Sequence, residues 1–340
     1  MDNNCTTYPG GSKSKVNKAG ENVRNGFIRR NDLEIIEEWR AAHRWILNTF
    51  QATLRNRTKG LPITVAQRHK RRSTIFNKLK RYPEMQLSRM DDVAGCRLIF
   101  NSIEELKHFR DNFIETSRFK HKLKNDIHKY DYIDKPKETG YRGIHDVYIY
   151  DVNSELGKKY NGLYIEIQYR TLIQHAWATA VEIVGFITEN KPKFDEGDHR
   201  HIKEMAYASE IIARAHENMN GPFPDLSNTE VINKFQKLDN EIGILKKLKS
   251  INQAKDSIDT LEDNTILIIS PDGNLSIKTF RYATNALKKL FELETKYPEK
   301  DIVLVRASKK EDVRLAFKNY FSDAKDFIKL VESGLKKLSK

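Results

Sequence analysis

The sequence predicts an α/β chain of the α+β kind: a mixed β-sheet flanked by helices, followed by a small C-terminal ββαβα domain. Three observations carry that expectation. Short apolar runs such as AGCRLIF (94–100) alternate with amphipathic stretches of helix length, the pattern of helices packed on a sheet. In YIEIQYRTLIQHAWATAVE (164–182) the period switches from two to helical at Leu172, so a strand runs straight into a helix. Past GPFPDLSN (221–228) the character changes again, first to a polar helical pattern and then to β-rich runs.

In chain order, residues 1–25 lack the apolar core of a signal peptide and are expected to form a mobile tail. NDLEIIEEWRAAHRWILNTFQATLRN (31–56) places Leu33, Ile36, Trp39, Ile46 and Phe50 on one face behind a capping aspartate, an amphipathic helix. A second helix is expected over the basic run from about Ala66 to Arg81, ending before Pro83. AGCRLIF reads as a buried strand, SIEELKHFRDNFIE (102–115) as a helix and HDVYIYDV (145–152) as a strand. The Glu166 strand leads into a helix that Thr171 can cap, and after a turn-rich break at 190–198 another helix covers 200–219. These segments predict one domain over 26–228 and a helical connector over 229–262. The small domain, 263–340, contains two strands joined by an Asp-Gly turn in TILIISPDGNLSIKTF, then a helix, the strand DIVLVRA and one or two closing helices.

The chain has 340 residues, enough for two cores, and carries 60 Lys+Arg against 47 Asp+Glu, a formal charge of +13. That excess favours a polyanionic partner, most simply nucleotide phosphate or RNA. Cys5 and Cys96 are the only cysteines, which excludes a disulfide framework and a cysteine-rich zinc site and fits a cytoplasmic protein. No apolar run approaches the roughly 20 residues of a membrane span, so no membrane partner is expected.

Four segments carry candidate chemistry. QRHKRRSTIFNKLKR (67–81) has seven Lys or Arg among fifteen residues and no acid. RMDDVAGCRLIF sets Asp92 at the mouth of a strand and Arg97 within its apolar run, where a buried guanidinium needs a partner. DYIDKPKETGYRGIHDVY brings Lys135 and Lys137 next to a Gly-Tyr turn. The last is the opening strand, whose period of two puts Tyr164, Glu166, Gln168 and Arg170 on one side. Each has an ordinary explanation alone: solvated helix, turn residue, exposed loop, wet strand face. Together they offer carboxylates for Mg²⁺ and cations for phosphate oxygens, the parts of a phosphoryl-type transfer site. Neither a G-x-x-x-x-G-K-[ST] loop nor a kinase glycine loop is present, so another scaffold must hold them.

At these residues the sequence resembles the synthetase domain of the RelA/SpoT family, the alarmone synthetases, over roughly residues 30–220. RHKRRSTI, DVAGCR, YIDKPKETGYRGIH and EIQYRTLIQHAWA are similar to the family's four motifs and stand in family order. The resemblance implies that Arg68 and Arg97 sandwich the adenine of ATP and that Lys70, Arg71 and Arg72 lie where the donor triphosphate is held. It implies Asp92 and Glu166 as Mg²⁺ ligands, with Glu166 also activating the acceptor 3′-hydroxyl. Tyr141 would stack on the acceptor base, Lys135, Lys137, Arg142 and His145 would surround its phosphates, and Gln168, Arg170 and His175 would complete the pocket. Glu182 is read as a surface or structural carboxylate and Trp177 as a core side chain.

The implied reaction moves the β,γ-pyrophosphate of ATP to a ribose 3′-hydroxyl, with Mg²⁺ as cofactor and no hydrolase domain expected. The resemblance leaves the acceptor open between GDP or GTP, giving ppGpp or pppGpp, and the 3′ end of tRNA, the chemistry of the toxic branch. The surplus cations of 67–81 and RFKHKLK (118–124) lean toward tRNA. So does Gly143, where the classical synthetases of the family commonly carry serine and which resembles the toxic branch. The C-terminal domain is expected to be an oligomerisation or stability module, or a regulator that docks over the site or senses a protein trigger. A catalytically inactive RNA- or partner-binding protein on the same scaffold is the reading of a different class.

Overall fold

A computed structural model of the chain describes residues 8–115, 121–187, 199–245, 248, 264–269, 275–306 and 322–339. Parts of the sequence expectations lie outside these residues: the first seven positions, residues 118–120 of the RFKHKLK run, the break at 190–198, much of the connector, the Asp-Gly turn and the stretch 309–320.

The main sheet has five strands in the order β1-β2-β5-β4-β3: β1 Thr64–His69, β2 Ala94–Phe100, β3 Lys122–Leu123, β4 Ile144–Ile149 and β5 Tyr164–Thr171. Only the central β2–β5 pair is parallel; β1, β4 and β3 add antiparallel at the two sides. Alternation then sorts the side chains. Cys96, Leu98, Phe100, Ile165, Ile167 and Tyr169 point into an apolar core. That core is closed by α1 (Lys13–Arg24), α2 (Arg30–Arg57) and α4 (Ile103–Glu115). The opposite face carries the polar set described below.

Two local expectations are corrected. The run from Ala66 to Arg81 is not one helix: Thr64–His69 is β1, and α3 spans only Arg72–Arg81. Val65 is buried in the core while Ala66 and Arg68 stand on the other side, a period of two that the density of basic residues conceals. Pairing with β2 along the whole of β1 satisfies its backbone, and the Lys70 amide still donates to the Val93 carbonyl at 2.8 Å. The amino-terminal tail to residue 25 is also not uniformly mobile. Ser12 caps α1 by accepting from the Lys15 amide at 3.1 Å, and Val16, Ala19 and Val23 are buried at helical spacing.

A single turn, α5 (Glu155–Lys158), precedes β5, and beyond β5 the chain builds a second, helical core from α6 (Leu172–Ile187), α7 (His199–Glu217) and α8 (Asn228–Ile242). Thr171 caps α6, its Oγ1 accepting from the Gln174 backbone amide at 3.2 Å, while its own backbone amide donates to Gln174 Oε1 at 3.1 Å. A three-stranded antiparallel sheet, order β7-β6-β8, follows from β6 (Asn264–Ile269), β7 (Leu275–Phe280) and β8 (Asp301–Arg306), with α9 (Ala283–Lys296) on it. The closing helix α10 (Ser322–Leu338) does not belong to that small core. Its Ala324, Phe327, Ile328 and Val331 are buried with α6, α7 and α8, and the Leu330 carbonyl lies 2.9 Å from His216 Nε2. The expected boundary at 263 therefore separates a sheet module from the main body, but the chain rejoins that body at α10. No helix among the described residues is long and apolar enough to cross a membrane.

Candidate active site

Strand register assembles the polar face. In one row across the sheet Arg68 pairs with Gly95 and Gly95 with Glu166; in the next, Arg97 pairs with Gln168 and Gln168 with His145. Partners across a ladder share a face, so segments 67–81, 92–97, 141–145 and 164–170 converge on one surface.

On that surface a hydrogen-bonded circuit closes. His145 Nδ1 lies 2.9 Å from Glu166 Oε1, and its Nε2 meets the Tyr141 hydroxyl. Arg170 Nε donates to Tyr141 Oη at 3.2 Å and its Nη2 to Gln168 Oε1 at 3.2 Å. Gln168 Nε2 returns to Glu166 Oε2 at 2.7 Å, and Arg97 Nε joins at Gln168 Oε1 at 3.3 Å. The Arg170 guanidinium also lies over the Tyr141 ring, 5.0 Å from its centroid.

Charge compensation shapes the titration of this circuit. Burial opposes ionisation of Glu166, but the charge and hydrogen bond of His145 outweigh it and hold the carboxyl at about 2. Burial likewise opposes protonation of His145, and Tyr141 and Glu166 overcome it, raising the imidazole to about 9. Tyr141 is pushed up by burial and pulled down more strongly by Arg170 and His145, to about 8. Burial, then Arg170, lowers Arg97 to about 10.

Asp92, two residues ahead of β2, receives Lys70 Nζ at 2.7 Å and Lys78 Nζ at 3.0 Å. Burial would raise its pKa, and the two ammonium groups hold it far below the usual carboxylate range instead. Asp92 and Glu166 also repel each other, Asp92 acting to raise the Glu166 pKa. The two carboxylates are hard oxygen donors of the kind Mg²⁺ takes, one or two at a time with water and substrate phosphates filling its shell. All four of their oxygens are engaged, by Lys70 and Lys78 on Asp92 and by His145 and Gln168 on Glu166, so a bound ion would displace some of these partners. Among the described residues no group of three or more His, Cys, Asp or Glu forms a metal cage, so a divalent ion here would need phosphate oxygens too.

A cavity of about 160 Å³ opens beside the circuit, lined among others by Lys137, Tyr141, His145, Arg170, Trp177 and Glu182. Of the residues expected around the acceptor, Lys137, Tyr141, His145 and Arg170 meet there, and Gln168 lies one bond behind. Lys135 is exposed on the same loop. Arg142 points elsewhere: it is buried and ion-paired with Glu217, whose other oxygen accepts from Thr171 Oγ1 at 2.6 Å and Gln174 Nε2 at 3.1 Å. His175 is buried in α6, its carbonyl accepting from Thr179 Oγ1 at 3.0 Å.

Of the residues expected to face the donor triphosphate, Arg71 reaches the carbonyl of Lys300 through its guanidinium, and Arg72 Nη1 lies 3.4 Å from Glu37 Oε1. Arg40 Nε donates to the Lys70 carbonyl at 2.8 Å, and its Nη2 pairs with Glu294 Oε2 at 2.7 Å.

The sequence reading misses four neighbours. Glu182 lines the cavity and is not merely surface, as its place seven residues beyond His175 on α6 could have indicated. Trp177 is core and wall at once, its Nε1 donating to the Met205 carbonyl at 2.7 Å. Tyr132 stands edge-on to Tyr141 and His145, with Lys137 Nζ 4.4 Å from its ring centroid. Lys78 belongs to the expected basic run, but its bond to Asp92 depends on where α3 begins.

Residues 67–184 match the family model described as a region found in RelA / SpoT proteins, a span holding Arg68, Asp92, Arg97, the Tyr141 loop and Glu166. This stretch is a RelA/SpoT region. A curated relative, GTP pyrophosphokinase YjbM of Bacillus subtilis (strain 168), is 28% identical over 150 residues, 43% of this chain. The chain spans 65% of that relative's length. Similar solved structures include small alarmone synthetase 1 from Bacillus subtilis bound to its product pppGpp, with a TM-score of 0.44 and 23% identity. The match covers 52% of this chain and 91% of that one. A GTP pyrophosphokinase family protein from Streptococcus pneumoniae gives a TM-score of 0.42 at 21% identity, over 62% of this chain and 92% of its own. The RelA/SpoT region ends within α6, so α7, α8, the small sheet module and α10 all lie beyond it.

Proposed function

We propose that the chain is an ATP-dependent pyrophosphotransferase that moves the β,γ-pyrophosphate of ATP to a ribose 3′-hydroxyl and releases AMP. The observation that carries this reading is the juxtaposition, within the RelA/SpoT region, of a clamped Glu166 circuit with Asp92 and its two lysines. In the proposed step the acceptor 3′-oxygen attacks the β-phosphorus as its proton passes to the Glu166 carboxylate. The bond from that phosphorus to the α-phosphate oxygen breaks, and AMP leaves with the electron pair. Arg68 and Arg97 hold the adenine between planar guanidinium groups, and Lys70, Arg71 and Arg72 face the triphosphate. Tyr141 stacks on the acceptor base, while Lys135, Lys137 and His145 meet its phosphates. Asp92 and Glu166 would hold Mg²⁺, which would neutralise phosphate charge when bound.

For the acceptor, a guanosine nucleotide is supported by the relative named GTP pyrophosphokinase. The 3′ end of tRNA is the second reading, supported by the basic residues of β1 and α3, which exceed what one nucleotide needs. Incubation with γ-labelled ATP and Mg²⁺, offering GDP, GTP and deacylated tRNA in parallel, tests both. Label on guanosine nucleotide or on tRNA identifies the acceptor; a Glu166→Gln variant as active as the parent removes the mechanism. No transfer to any acceptor, with RNA binding intact, would favour an inactive binding protein.

We also propose that the small sheet module restrains the donor side. Glu294 on Arg40, Phe291 beneath the Arg44 guanidinium at 3.3 Å and the Lys300 carbonyl on Arg71 support that reading, because these contacts engage or adjoin the cations assigned to ATP.

A further inference from the structure

The small sheet module breaks a packing rule on its edge strand. In β7, Ser276 pairs with Ile268 and Lys278 with Ile266, and both isoleucines are buried in the module's core. Cross-strand partners share a face, so Ser276 and Lys278 stand on the side of the sheet that carries α9, where both remain exposed to solvent and line a groove instead of filling the core. There they meet Lys289 and Lys296 of α9, with Tyr297 and Lys300 just beyond it, around a groove of about 260 Å³. Four lysines line this groove against one carboxylate, Glu292, which is already paired with Lys289 at 2.5 Å. Lys296 and Lys300 lie over the Tyr297 ring, 5.3 and 4.6 Å from its centroid.

One ordinary explanation is that an inward lysine on an edge strand blocks pairing with another chain. It accounts for Lys278 but not for three further lysines gathered from a helix and the turn after it. Clustered like charges around a concavity cost free energy that a polyanion relieves. The groove is smaller than the roughly 300–1,000 Å³ of a pocket that encloses a whole drug-sized ligand, so it suits a phosphate chain and leaves the rest of a ligand outside.

We infer that this groove between β7 and α9 is a binding site for a small polyphosphate anion, of the kind carried by nucleoside di- and triphosphates. It is separate from the pyrophosphotransferase site and does not rest on that assignment. Its location gives it a neighbour: the Lys300 carbonyl accepts from Arg71, and Phe291 and Glu294 on another side of α9 contact Arg44 and Arg40. A ligand in the groove thus lies within one helix of the donor cations.

Calorimetric titration of the full chain with inorganic tripolyphosphate in metal-free buffer tests the inference. A site that depends on the groove lysines is expected. Lys278→Ala/Lys296→Ala weakens it at least about tenfold, whereas Lys70→Ala leaves it unchanged whether or not the donor side binds tripolyphosphate as well. Lys278→Arg/Lys296→Arg retains the groove site, which shows that charge and not loss of fold is read. Wild-type stoichiometry and affinity in the double alanine variant overturn the inference. So does a variant that only aggregates more readily with tripolyphosphate binding unchanged, which leaves edge protection as the role of Lys278. Lysine-dependent binding of a long RNA without any binding of tripolyphosphate would also overturn it.

Discussion

His145 Nδ1 stands 2.9 Å from Glu166 Oε1, so the carboxylate assigned to take the acceptor proton is clamped by an imidazolium on the neighbouring strand. Because β4 and β5 are antiparallel with His145 opposite Gln168, the bond runs diagonally to Glu166 and leaves Gln168 to hold the second oxygen. Glu166→Gln is expected to lower kcat by about 10²–10⁴. His145→Gln should cost less, roughly ten- to a hundredfold, the value of a hydrogen bond to a charged group. Steady-state rates of both variants check the order; an inactive His145→Gln beside a competent Glu166→Gln would reverse the roles.

The same pair sets a pH window for the stability of the metal-free protein. His145 is raised from 6.5 to about 9, so its contribution is full below 6.5 and is lost as pH rises toward 9. Glu166 is lowered from 4.5 to about 2, so its contribution is full above 4.5 and is lost as pH falls toward 2. The pair therefore stabilises most between about 4.5 and 6.5. Comparing wild type with His145→Gln/Glu166→Gln by chemical denaturation across pH should show a difference that peaks there. A difference that grows steadily with pH to 9 would contradict the clamp.

Arg142 offers a test that separates structure from binding. Both it and Glu217 are nearly excluded from solvent, at 3% and 4% side-chain exposure. Removing one partner strands the other charge, so Arg142→Ala should destabilise the fold by about 3–5 kcal/mol. Urea midpoints measure that loss. A variant with unchanged midpoint and a raised KM for the acceptor would return Arg142 to the phosphate set that the motif implies.

Much of the candidate site is legible because its elements are locally encoded. Period-two alternation is enough to place Glu166, Gln168 and Arg170 on one side of β5, and helical spacing from Leu172 marks α6. What sequence patterns do not carry is register. Whether Arg68 lies opposite Gly95, or His145 opposite Gln168, depends on pairing between segments far apart in the chain. β1 escapes for a related reason: its buried positions include Gln67 as well as Val65, so the apolar signal of a strand is weak. α10 reads as the end of the small module because it follows that module in sequence, yet its apolar stripe matches the groove left by α6 and α7. Gly334 fits against Ile211 of α7, where an added Cβ would come within 2.8 Å of a methyl carbon.

Gly140 ties the Tyr141 loop to the helical layer. Its φ is +92°, and a Cβ would fall 2.8 Å from the Ala206 Cα, 2.9 Å from the Trp177 ring and 3.0 Å from Ser209 Cβ. Ser209 Oγ donates to its carbonyl at 2.6 Å. Gly140→Ala must strain the backbone and push against α7, a cost of at least about 1–3 kcal/mol. The loss should appear in the denaturation midpoint together with weaker acceptor binding, since Tyr141 is the next residue. Gly143 has φ +148°, and a Cβ there would fall 3.1 Å from the Tyr141 hydroxyl and 3.1 Å from the Tyr169 carbonyl oxygen. Gly143→Ser should disturb Tyr141 more than it disturbs the fold.

The contact of α9 with α2 can be tested without deleting the C-terminal region, and has to be. Truncation at residue 241 would strip α10 from the second core and confuse restraint with unfolding. Phe291→Ala leaves that core untouched and removes the ring beneath Arg44, a cation–π contact of about 1–2 kcal/mol at a desolvated site. If the small module competes with ATP for the donor side, that loss shifts the balance toward the open form by roughly five- to thirtyfold. Phe291→Ala, alone and with Glu294→Gln, should lower the apparent KM for ATP and raise the rate at low ATP. An unaltered ATP dependence in a variant with normal thermal stability would mean that these contacts only support the fold.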